Sequence, residues 1–480
     1  MIRSKLSQSL TFGALTLSAL LLSGCALGPD YQRPSVKMPV AFKESAGWKV
    51  GEPQQVNADP NWWSHFNDPV LDQLERDVTV SSQTIAQSEA AYRGAVAAAD
   101  AANATLFPVV GVNGSFDRAK SSSARTGTSV IANSIQVGAS ASWNIDLWGR
   151  LRRQIEAAEA TSEASQAQLA GVRLSVQAAL ASDYFALRGA DELSRLLQAS
   201  VAAYEKSLQI TQNQYKAGTA NKADVDQATT QLESTRSQSI AVEVTRAQLE
   251  HAIAVLLGKA PADFSLPPQA DLPNPPDLLI SVPSSLLERR PDVAAAEKQM
   301  TAANAQIGVA IAAYFPDLTL SGSVGQSSNM FSNLFKASNN IWSFGPSLAE
   351  TVIDWGARDA QLAQAHASYD QEVASYRQTV LIALQQVEDD LVSASHLAQQ
   401  RIVEDRAVAS AVEAERLITN QYRAGTVAYT SVVTAQTAAL SAKQAALTIH
   451  QNQLTTSVAL LQALGGGWQG LTATATASAP

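Results

Sequence analysis

The 480-residue chain has little cysteine, few aromatic residues and no long apolar run beyond its first 25 residues. Cys25 is the only cysteine, so an intramolecular disulfide bond is excluded. Neither a phosphate-binding loop nor a nucleophile elbow occurs. The histidines are isolated and lack the spacing of metal ligands: His65, His251, His366, His396 and His450. We therefore expect neither an enzyme nor a metal site.

The negative net charge and the lack of long apolar segments restrict which partners the chain can bind and how it can cross a membrane. The formal net charge is -9, which argues against nucleic acid as the main partner. After residue 25 no apolar stretch approaches the roughly 20 residues that a transmembrane helix requires. Only helices and closed β-barrels satisfy their backbone hydrogen bonds in lipid. Any part of the mature chain that crosses a membrane must therefore belong to a β-barrel.

The N-terminus has the pattern of a bacterial lipoprotein signal. Residues 1–24 have a positive start and an apolar run, and "LSGC" at 22–25 matches the lipoprotein processing box. We expect cleavage before Cys25, which then carries a covalent lipid. No cofactor is expected. Residues 25–68 are expected to form an irregular, proline-bearing tether. Ala26, not aspartate, follows the cysteine, which by resemblance to bacterial lipoproteins points to the outer membrane. The alternative is a buried or unpaired thiol.

The chain contains an internal repeat. "NQYKAGT" at Asn213–Thr219 recurs as "NQYRAGT" at Asn420–Thr426, 207 residues later, and a Trp-Gly pair and a Leu-Gly pair recur at the same interval. A constant interval predicts two copies of one structural unit. The boundaries that follow are repeat 1 at 69–260, a proline-rich connector at 261–283, repeat 2 at 284–464 and a disordered tail rich in Gly, Thr and Ala at 465–480.

Each copy contains two segments in which apolar residues alternate with small or polar ones. The pattern runs over Ile135–Ile145, Leu318–Val324 and Trp342–Leu348, and more weakly over Val110–Phe116. A period of two is typical of a strand with two different faces. The sequence therefore predicts four strands, two in each copy.

Proline-free segments with helical periodicity surround these strands. They are Gln73–Leu106 and Pro291–Tyr314 before the strands, and Arg150–Gln214 and Ala357–Gln421 after them. The repeated heptapeptide then reverses the chain, so that each copy contains a long helical hairpin. By itself, a heptapeptide of this kind indicates no more than a turn.

The residues of the heptapeptide suggest how the turn is made. We expect Gly218 and Gly425 to adopt the positive φ that ends a helix. Thr219 and Thr426 are then placed to cap the helix that follows.

Four strands cannot close a barrel, because two edge strands would expose unpaired backbone groups to lipid. Three chains supply twelve strands and remove the edges. We therefore predict an α+β membrane protein: a homotrimer with a 12-stranded β-barrel, four strands from each chain, continued by a long α-helical barrel. The alternative is a coiled-coil or adhesive trimer in which the strands serve only as an anchor.

The resemblance to a known family rests on several motifs. They are "LSGCALGPDYQRP" at 22–34, "WWSHFNDPVL" at 62–71, "DLWGR" at 146–150, the two hairpin turns, and "LLERRPDVAAAE" at 286–297. The chain resembles the TolC-type outer membrane factors, in particular the lipoprotein branch paired with resistance-nodulation-division (RND) pumps. The motifs extend over nearly the whole mature chain.

This resemblance implies an exit duct in the outer membrane of a Gram-negative bacterium, lipid-anchored and extending into the periplasm. The duct would complete a tripartite efflux system that expels drugs or other small toxic molecules. Its partners would be outer membrane lipid, an inner membrane RND pump and a periplasmic adaptor protein. The adaptor would dock at the hairpin tips, which are Gly218, Thr219, Gly425 and Thr426.

The resemblance also implies a periplasmic gate at these tips. Asp224, with Asp226 nearby, would form an acidic ring in the trimer, although a solvated surface charge is the alternative. The second copy has Ser431 and Thr434 where relatives often have aspartate, which argues against a second acidic ring. Tyr215, Tyr422, Lys216 and Arg423 would hold neighbouring hairpins closed, or would be ordinary helix-end residues.

Two other functions fit the same sequence. An outer membrane duct for type I protein secretion or for metal efflux would have the same architecture. Only four methionines occur and they form no cluster, which disfavours a soft-metal route. A non-conducting structural or adhesive trimer belongs to a different class and predicts no conductance in planar bilayers.

Overall fold

The computed structural model describes residues 26–45, 61–122, 129–269, 271–277, 283 and 289–471. The predicted signal peptide, the lipidation site Cys25 and the last part of the predicted tail lie outside these residues. The chain forms two compact units. The first comprises the described parts of 1–35, 92–165 and 296–376, and the second those of 36–91, 166–295 and 377–480. Each unit therefore contains segments of both sequence repeats.

The described part of the chain contains seven α-helices and four strands. In chain order they are α1 Pro69–Ser81, α2 Gln83–Ala104, β1 Val109–Ser122, β2 Ser129–Ile145, α3 Arg150–Lys216, α4 Lys222–Leu256, α5 Pro291–Ala312, β3 Asp317–Ser328, β4 Asn340–Ala349, α6 Ala357–Arg423 and α7 Tyr429–Ala463. Short 3-10 helices lie at Trp62–Phe66, Pro261–Asp263, Phe331–Asn333 and Ala337–Asn339.

The repeat predicted from the sequence is present in the helices. Helices α3 and α6 both have 67 residues, and α4 and α7 both have 35. The heptapeptide separates the members of each pair, as the prediction of two long hairpins required. The apolar stripe of α3 is buried at Leu180, Tyr184 and Leu187.

One predicted helix is divided in two. The segment Gln73–Leu106 was expected to form a continuous helix, but α1 ends at Ser81 and Ser82 has an extended backbone with ψ 124°. The hydroxyls of Thr79 and Ser81 donate to the carbonyl oxygens of Glu75 and Asp77. These side chains and the neighbouring valines are poor helix formers, which weakens the helix at this point.

The four strands form one antiparallel sheet in the first unit, in the order β1-β2-β3-β4. All four predicted strands are confirmed, and β1 and β2 extend beyond their predicted ends. Strands β1 and β4 are the edges of the sheet. Trp148 of the "DLWGR" motif donates to the carbonyl oxygen of Pro316 at 2.9 Å, and thereby joins the end of β2 to the start of β3.

The pairing register separates the two faces of the sheet. One row across all four strands contains Val112, Ala139, Val324 and Trp342. The next row, whose side chains point to the opposite face, contains Gly111, Ser140, Ser323 and Ser343. The exposed fraction is 83% for Val112 and 78% for Trp342. The sheet therefore presents one apolar and one polar face to its surroundings.

The N-terminal segment is irregular, as predicted for a tether, but contacts hold it in the first unit. Leu27 donates its N–H to the carbonyl oxygen of Trp148 at 3.1 Å. The buried Arg153 binds the carbonyl oxygens of Leu27 and Gly28. A Cβ at Gly28 would lie 2.5 Å from the Cα of Gly308, so only glycine fits here.

Two of the motifs that carry the resemblance meet in this segment. The Arg33 guanidinium of "GPDYQRP" pairs with both carboxylate oxygens of Glu297, the last residue of "RRPDVAAAE". Tyr31 donates its hydroxyl to the same carboxylate at 3.4 Å. Charge-assisted pairs of this kind have a defined geometry, which fixes the direction of the segment along α5.

The second unit contains the largest apolar core. Trp62, Trp63 and Phe66 pack against the middle of α3, where the rings of Phe66 and Phe185 are 4.8 Å apart. Leu257, at the end of α4, belongs to the same cluster. The "WWSHF" motif is therefore a core element of this unit.

Candidate functional site

The two hairpin turns, both in the second unit, have the same backbone geometry. Gly218 and Gly425 each have φ +76°, as the sequence predicted. Each glycine donates its N–H to the carbonyl oxygen three residues earlier, at 3.0 and 2.9 Å. The following threonine donates to the carbonyl oxygen five residues earlier, at 2.9 and 3.0 Å. This is the Schellman pattern, in which glycine closes a helix end without strain.

The predicted role of the two threonines as caps of the next helix is wrong. Thr219 and Thr426 donate their hydroxyls backwards, to the carbonyl oxygens of Gln214 and Gln421 at 3.1 and 2.9 Å. They stabilise the ends of α3 and α6 instead. The helices α4 and α7 begin only after Asn221 and Ala428, so the threonines lie too far from their first turns to cap them.

Asn221 is the residue that caps α4, and the sequence reasoning missed it. Its side-chain oxygen accepts the N–H of Asp224 at 2.9 Å, while Asp224 accepts the N–H of Asn221 at 3.1 Å. This reciprocal pair is a capping box. Asp224 is half-buried, and the exposed Asp226 forms an ion pair with Lys222. Both predicted gate carboxylates therefore lie in the first turns of α4.

The second turn lacks this chemistry. Ala428 occupies the N-cap position of α7 and has no side chain that could cap it. Ser431 occupies the position that Asp224 has in the first copy, and the first turn of α7 contains no acidic residue. The two turns thus share a backbone but differ in charge.

The two tyrosines of the heptapeptides have different surroundings. Tyr215 is 46% exposed, and its hydroxyl makes no hydrogen bond to the described part of the chain. Tyr422 is only 7% exposed, and its hydroxyl donates to that of Thr211 on α3 at 3.3 Å. Burial raises the pKa of Tyr422, so its hydroxyl keeps its proton for donation. The predicted latch residue of the second copy therefore joins the two hairpins within one chain.

Tyr429 completes this contact, and the sequence reasoning did not identify it. Its ring meets that of Tyr422 edge to face at 5.1 Å, and its hydroxyl lies 3.3 Å from that of Ser207. Burial raises the pKa of Tyr429 as well. The equivalent residue in the first copy is Lys222, so a comparison of the two repeats could have marked this position as different.

The two predicted basic latch residues remain accessible. Lys216 and Arg423 are exposed at the last positions of α3 and α6. Neither forms an ion pair within the residues that the structure describes. Cations at a helix C-terminus interact favourably with the free carbonyl groups. Because both side chains are exposed and form no ion pair in the described part of the chain, Lys216 and Arg423 are available to a partner.

Within the described ranges, the structure has no helix long and apolar enough to span a bilayer. Those ranges also contain no group of three or more His, Cys, Asp or Glu side chains that could hold a metal ion.

The chain is similar to known proteins over nearly its whole length. The chain is 31% identical to two proteins of Pseudomonas putida, the antibiotic efflux pump outer membrane protein ArpC and the toluene efflux pump outer membrane protein TtgC. Each match covers 95% of both chains. The solved structure of the outer-membrane channel OprN is 30% identical, with a TM-score of 0.87 over 93% of this chain and 100% of that one.

The similarity to OprN places this chain, with its two long helical hairpins and its four-stranded sheet, in the class of outer membrane channel proteins. The chain belongs to the outer membrane efflux protein family, whose model matches residues 76–259 and 282–466. The two matched segments coincide with the two repeats. The predicted family, the efflux function and the location in the outer membrane are thereby confirmed.

Proposed function

We propose that three copies of this chain form one efflux channel, in which their strands close into a single β-barrel. The observation that carries the proposal is the four-stranded sheet, whose two faces differ chemically and whose outer strands β1 and β4 have no further strand partner among the described residues. Free strand edges are costly in lipid, and pairing β1 of one copy with β4 of the next removes them. Twelve strands then form a barrel with lipid outside and a polar lumen inside. The long helices of the three copies form a helical barrel in the periplasm.

Native mass spectrometry of the detergent-extracted protein tests the assembly. We expect three times the mass of one mature chain, and discrete conductance steps when the protein is added to planar bilayers. A stable single subunit would contradict the trimer. A trimer without conductance would instead favour a structural or adhesive role.

The hairpin tips form the periplasmic mouth of the proposed channel. Gly218, Thr219, Gly425 and Thr426 lie at the surface of the two turns and dock a periplasmic adaptor, which connects the channel to an inner membrane RND pump. Lys216 and Arg423 flank these residues as free cations. Cysteine cross-linking at Thr219 and Thr426 to a candidate adaptor is expected to succeed at the tips, with Ser237 on the exposed side of α4 as the negative control.

The gate of the channel is an acidic ring formed by Asp224 from each copy. Three carboxylates at one constriction attract cations and narrow the aperture. Asp226 contributes less to the proposed ring because it is paired with Lys222. The second turn adds no charge to the ring, so the gate has one acidic tier.

A covalent lipid on Cys25 anchors the mature chain to the outer membrane. The motif "LSGC" supports this part of the proposal. Labelled palmitate is expected to enter the wild-type protein and to be absent from Cys25→Ser. Incorporation into the variant would contradict lipidation at this residue.

The cargo of the proposed tripartite system consists of small organic toxic molecules. The names of two similar proteins support this class, since one concerns antibiotics and the other toluene. Deletion of the gene, followed by growth tests on antibiotics, dyes, solvents and metal salts, identifies the cargo. Sensitivity to metal salts alone, or loss of a secreted protein, would assign the duct to metal efflux or to type I secretion.

A further inference from the structure

One end of the sheet contains the last residues of β1 and β3 and the first residues of β2 and β4. The loop at 329–339, which contains two short 3-10 helices and connects β3 to β4, lies at this end. At the other end the strands continue towards helices α2, α3, α5 and α6. If the helices extend into the periplasm, this loop end faces the outer leaflet of the membrane.

The loop at 329–339 folds onto the apolar face of the sheet. The ring of Phe331 stacks on that of Phe116 at 5.9 Å, with 17° between the ring planes. Phe116 belongs to the apolar face, and its register partner Ile135 is buried. Leu334 of the loop is buried as well, whereas Phe335 remains 78% exposed. The loop therefore has apolar side chains that are not buried by the described part of the chain.

A polar cavity of about 500 Å³ lies between this loop and the ends of β2 and β3. Its lining consists of four asparagines, four serines and Lys336, with no carboxylate. Amide and hydroxyl groups donate and accept hydrogen bonds in the pattern that sugar hydroxyls require. A single ammonium group without a carboxylate favours an anion. The cavity thus suits a hydroxylated head group with a negative charge.

Two more cations lie beside the cavity. Arg118 and Lys120 are exposed on β1 and lie two and four residues after Phe116, so they share its face. Arg118 is the register partner of Asn133, one of the asparagines that line the cavity. Neither cation forms an ion pair or a side-chain hydrogen bond within the described residues. Basic side chains at the end of an apolar, aromatic surface are typical of a membrane interface.

We propose that the loop end of this sheet is a binding site for a phosphorylated glycolipid of the outer leaflet. Lys336, Arg118 and Lys120 bind its phosphates, and the cavity holds its sugar. Its acyl chains lie against Val112, Phe116 and the exposed Phe335. The site rests on the proposed function, in which the apolar face of the sheet contacts lipid. It differs from the hairpin tips in both position and ligand chemistry.

Titration of the detergent-solubilised full chain with lipid A, followed by native mass spectrometry, tests this site. We expect lipid A to bind at least about tenfold more tightly than its dephosphorylated form. Lys336→Gln and Arg118→Gln should each weaken lipid A binding by about tenfold and leave the dephosphorylated form unaffected. Phe335→Ala should weaken the binding of both lipids. Lys206→Gln, which removes an exposed cation of α3, is the matched control and should change the binding of neither lipid.

Three results would overturn the proposal. They are equal binding of the two lipids, the same loss in Lys206→Gln as in Lys336→Gln, and saturation of the site by inorganic phosphate at the concentration at which lipid A binds. Conductance of the same preparations in planar bilayers separates this site from the channel itself. A protein that conducts but binds both lipids equally would rule out only the glycolipid site. A wild-type protein that does not conduct would rule out the proposed channel.

Discussion

Asp224 has two roles that some substitutions would remove together. It is the proposed gate carboxylate, and it forms half of the capping box of α4. Asp224→Asn removes the charge and keeps an oxygen that can accept the N–H of Asn221. We expect this variant to lower the preference of the channel for cations and to raise its single-channel conductance. Current-voltage measurements in asymmetric KCl provide both values.

Asn221→Ala is the matched control for this prediction. It removes the cap, at a cost of about 1 kcal/mol to the helix, and keeps the carboxylate. Its cation preference should equal that of the wild type. If Asp224→Asn leaves both conductance and selectivity unchanged, the acidic gate is wrong.

The two heptapeptide tyrosines provide a second matched pair. Tyr422→Phe removes the hydroxyl that donates to Thr211, a bond worth about 1 kcal/mol, and should increase the open probability of the channel. Tyr215→Phe removes an exposed hydroxyl without a partner in the described chain and should have no effect. Single-channel recording compares the two variants. Equal behaviour of both would contradict a role for Tyr422 in holding the two hairpins together.

Glu75 should make the stability of the second unit depend on pH. It is fully buried, and neither carboxylate oxygen has a hydrogen-bond partner in the described chain. Burial, and to a smaller extent the charge of Asp72, raises its pKa from 4.5 to about 9. Between these two values the unfolded chain releases a proton that the folded chain retains, so stability falls as pH rises through this window.

Glu75→Gln removes this titration. The stability of the variant relative to the wild type should therefore increase from about pH 5 to about pH 9, by at most about 1.4 kcal/mol for each pH unit. The midpoint of guanidinium unfolding, followed by the helical circular dichroism signal, measures the difference. Glu89→Gln, at an exposed position of α2, should show no such trend. A constant difference across this pH range would mean that Glu75 is ionised in the folded protein.

Among the elements, the connector after α4 depends on a buried group of charges. Arg188 and Asp191 on α3 are both about 1% exposed at their side chains and form an ion pair at 3.0 Å. Arg188 also donates to the carbonyl oxygen of Pro267 at 2.9 Å, and Asp191 accepts the N–H of Gln269 at 3.0 Å. Arg246 of α4 pairs with the same carboxylate at 2.7 Å. These side chains hold a segment that has almost no secondary structure of its own.

Asp191→Ala should release this connector. The substitution leaves the fully buried Arg188 without a carboxylate partner, whereas Arg246 keeps its ion pair with Glu250. Loss of one partner of a buried ion pair typically costs about 3–5 kcal/mol. We expect a lower unfolding midpoint and new protease cleavage between Pro261 and Asp277. Asp271→Ala, which removes an exposed carboxylate from the connector itself, should change stability by less than about 0.5 kcal/mol. Resistance of Asp191→Ala to protease would show that the connector is held by other contacts.

For the whole molecule, adjacent residues of β1 distinguish the two faces of the sheet. Val112 lies on the apolar face and Asn113 on the polar one. Val112→Arg places a charge against lipid in the proposed barrel, at a cost of about 2–4 kcal/mol near the bilayer midplane. Asn113→Arg places the same charge towards the proposed lumen.

We therefore expect Val112→Arg to reduce the amount of heat-stable trimer in outer membrane fractions. Asn113→Arg should assemble normally and lower the cation selectivity of the channel. Semi-denaturing electrophoresis of membrane fractions measures the assembly. Equal assembly of the two variants would contradict the assignment of the faces.

Much of this fold is encoded in local patterns. The alternation at Ile135–Ile145 and the proline-free run after Arg150 depend only on the period at which side chains change direction along a strand or a helix, so both were predicted correctly. The positive φ at Gly218 and Gly425 follows from the absence of a Cβ. The break at Ser82 was not predicted, because weak helix formers end a helix only where tertiary contacts favour another conformation.

The sequence by itself determined the repeats, the strands, the hairpins and the family, because each depends on the local order of residues or on a motif. Only the tertiary structure decided which partner each side chain has. Tyr215 and Tyr422 are the same residue in the same turn, yet only Tyr422 is buried, because Thr211 and Tyr429 lie beside it in space and not in sequence. Likewise Thr219 closes the helix before it and Asn221 caps the next, since a hydrogen bond forms where donor and acceptor meet in the folded chain.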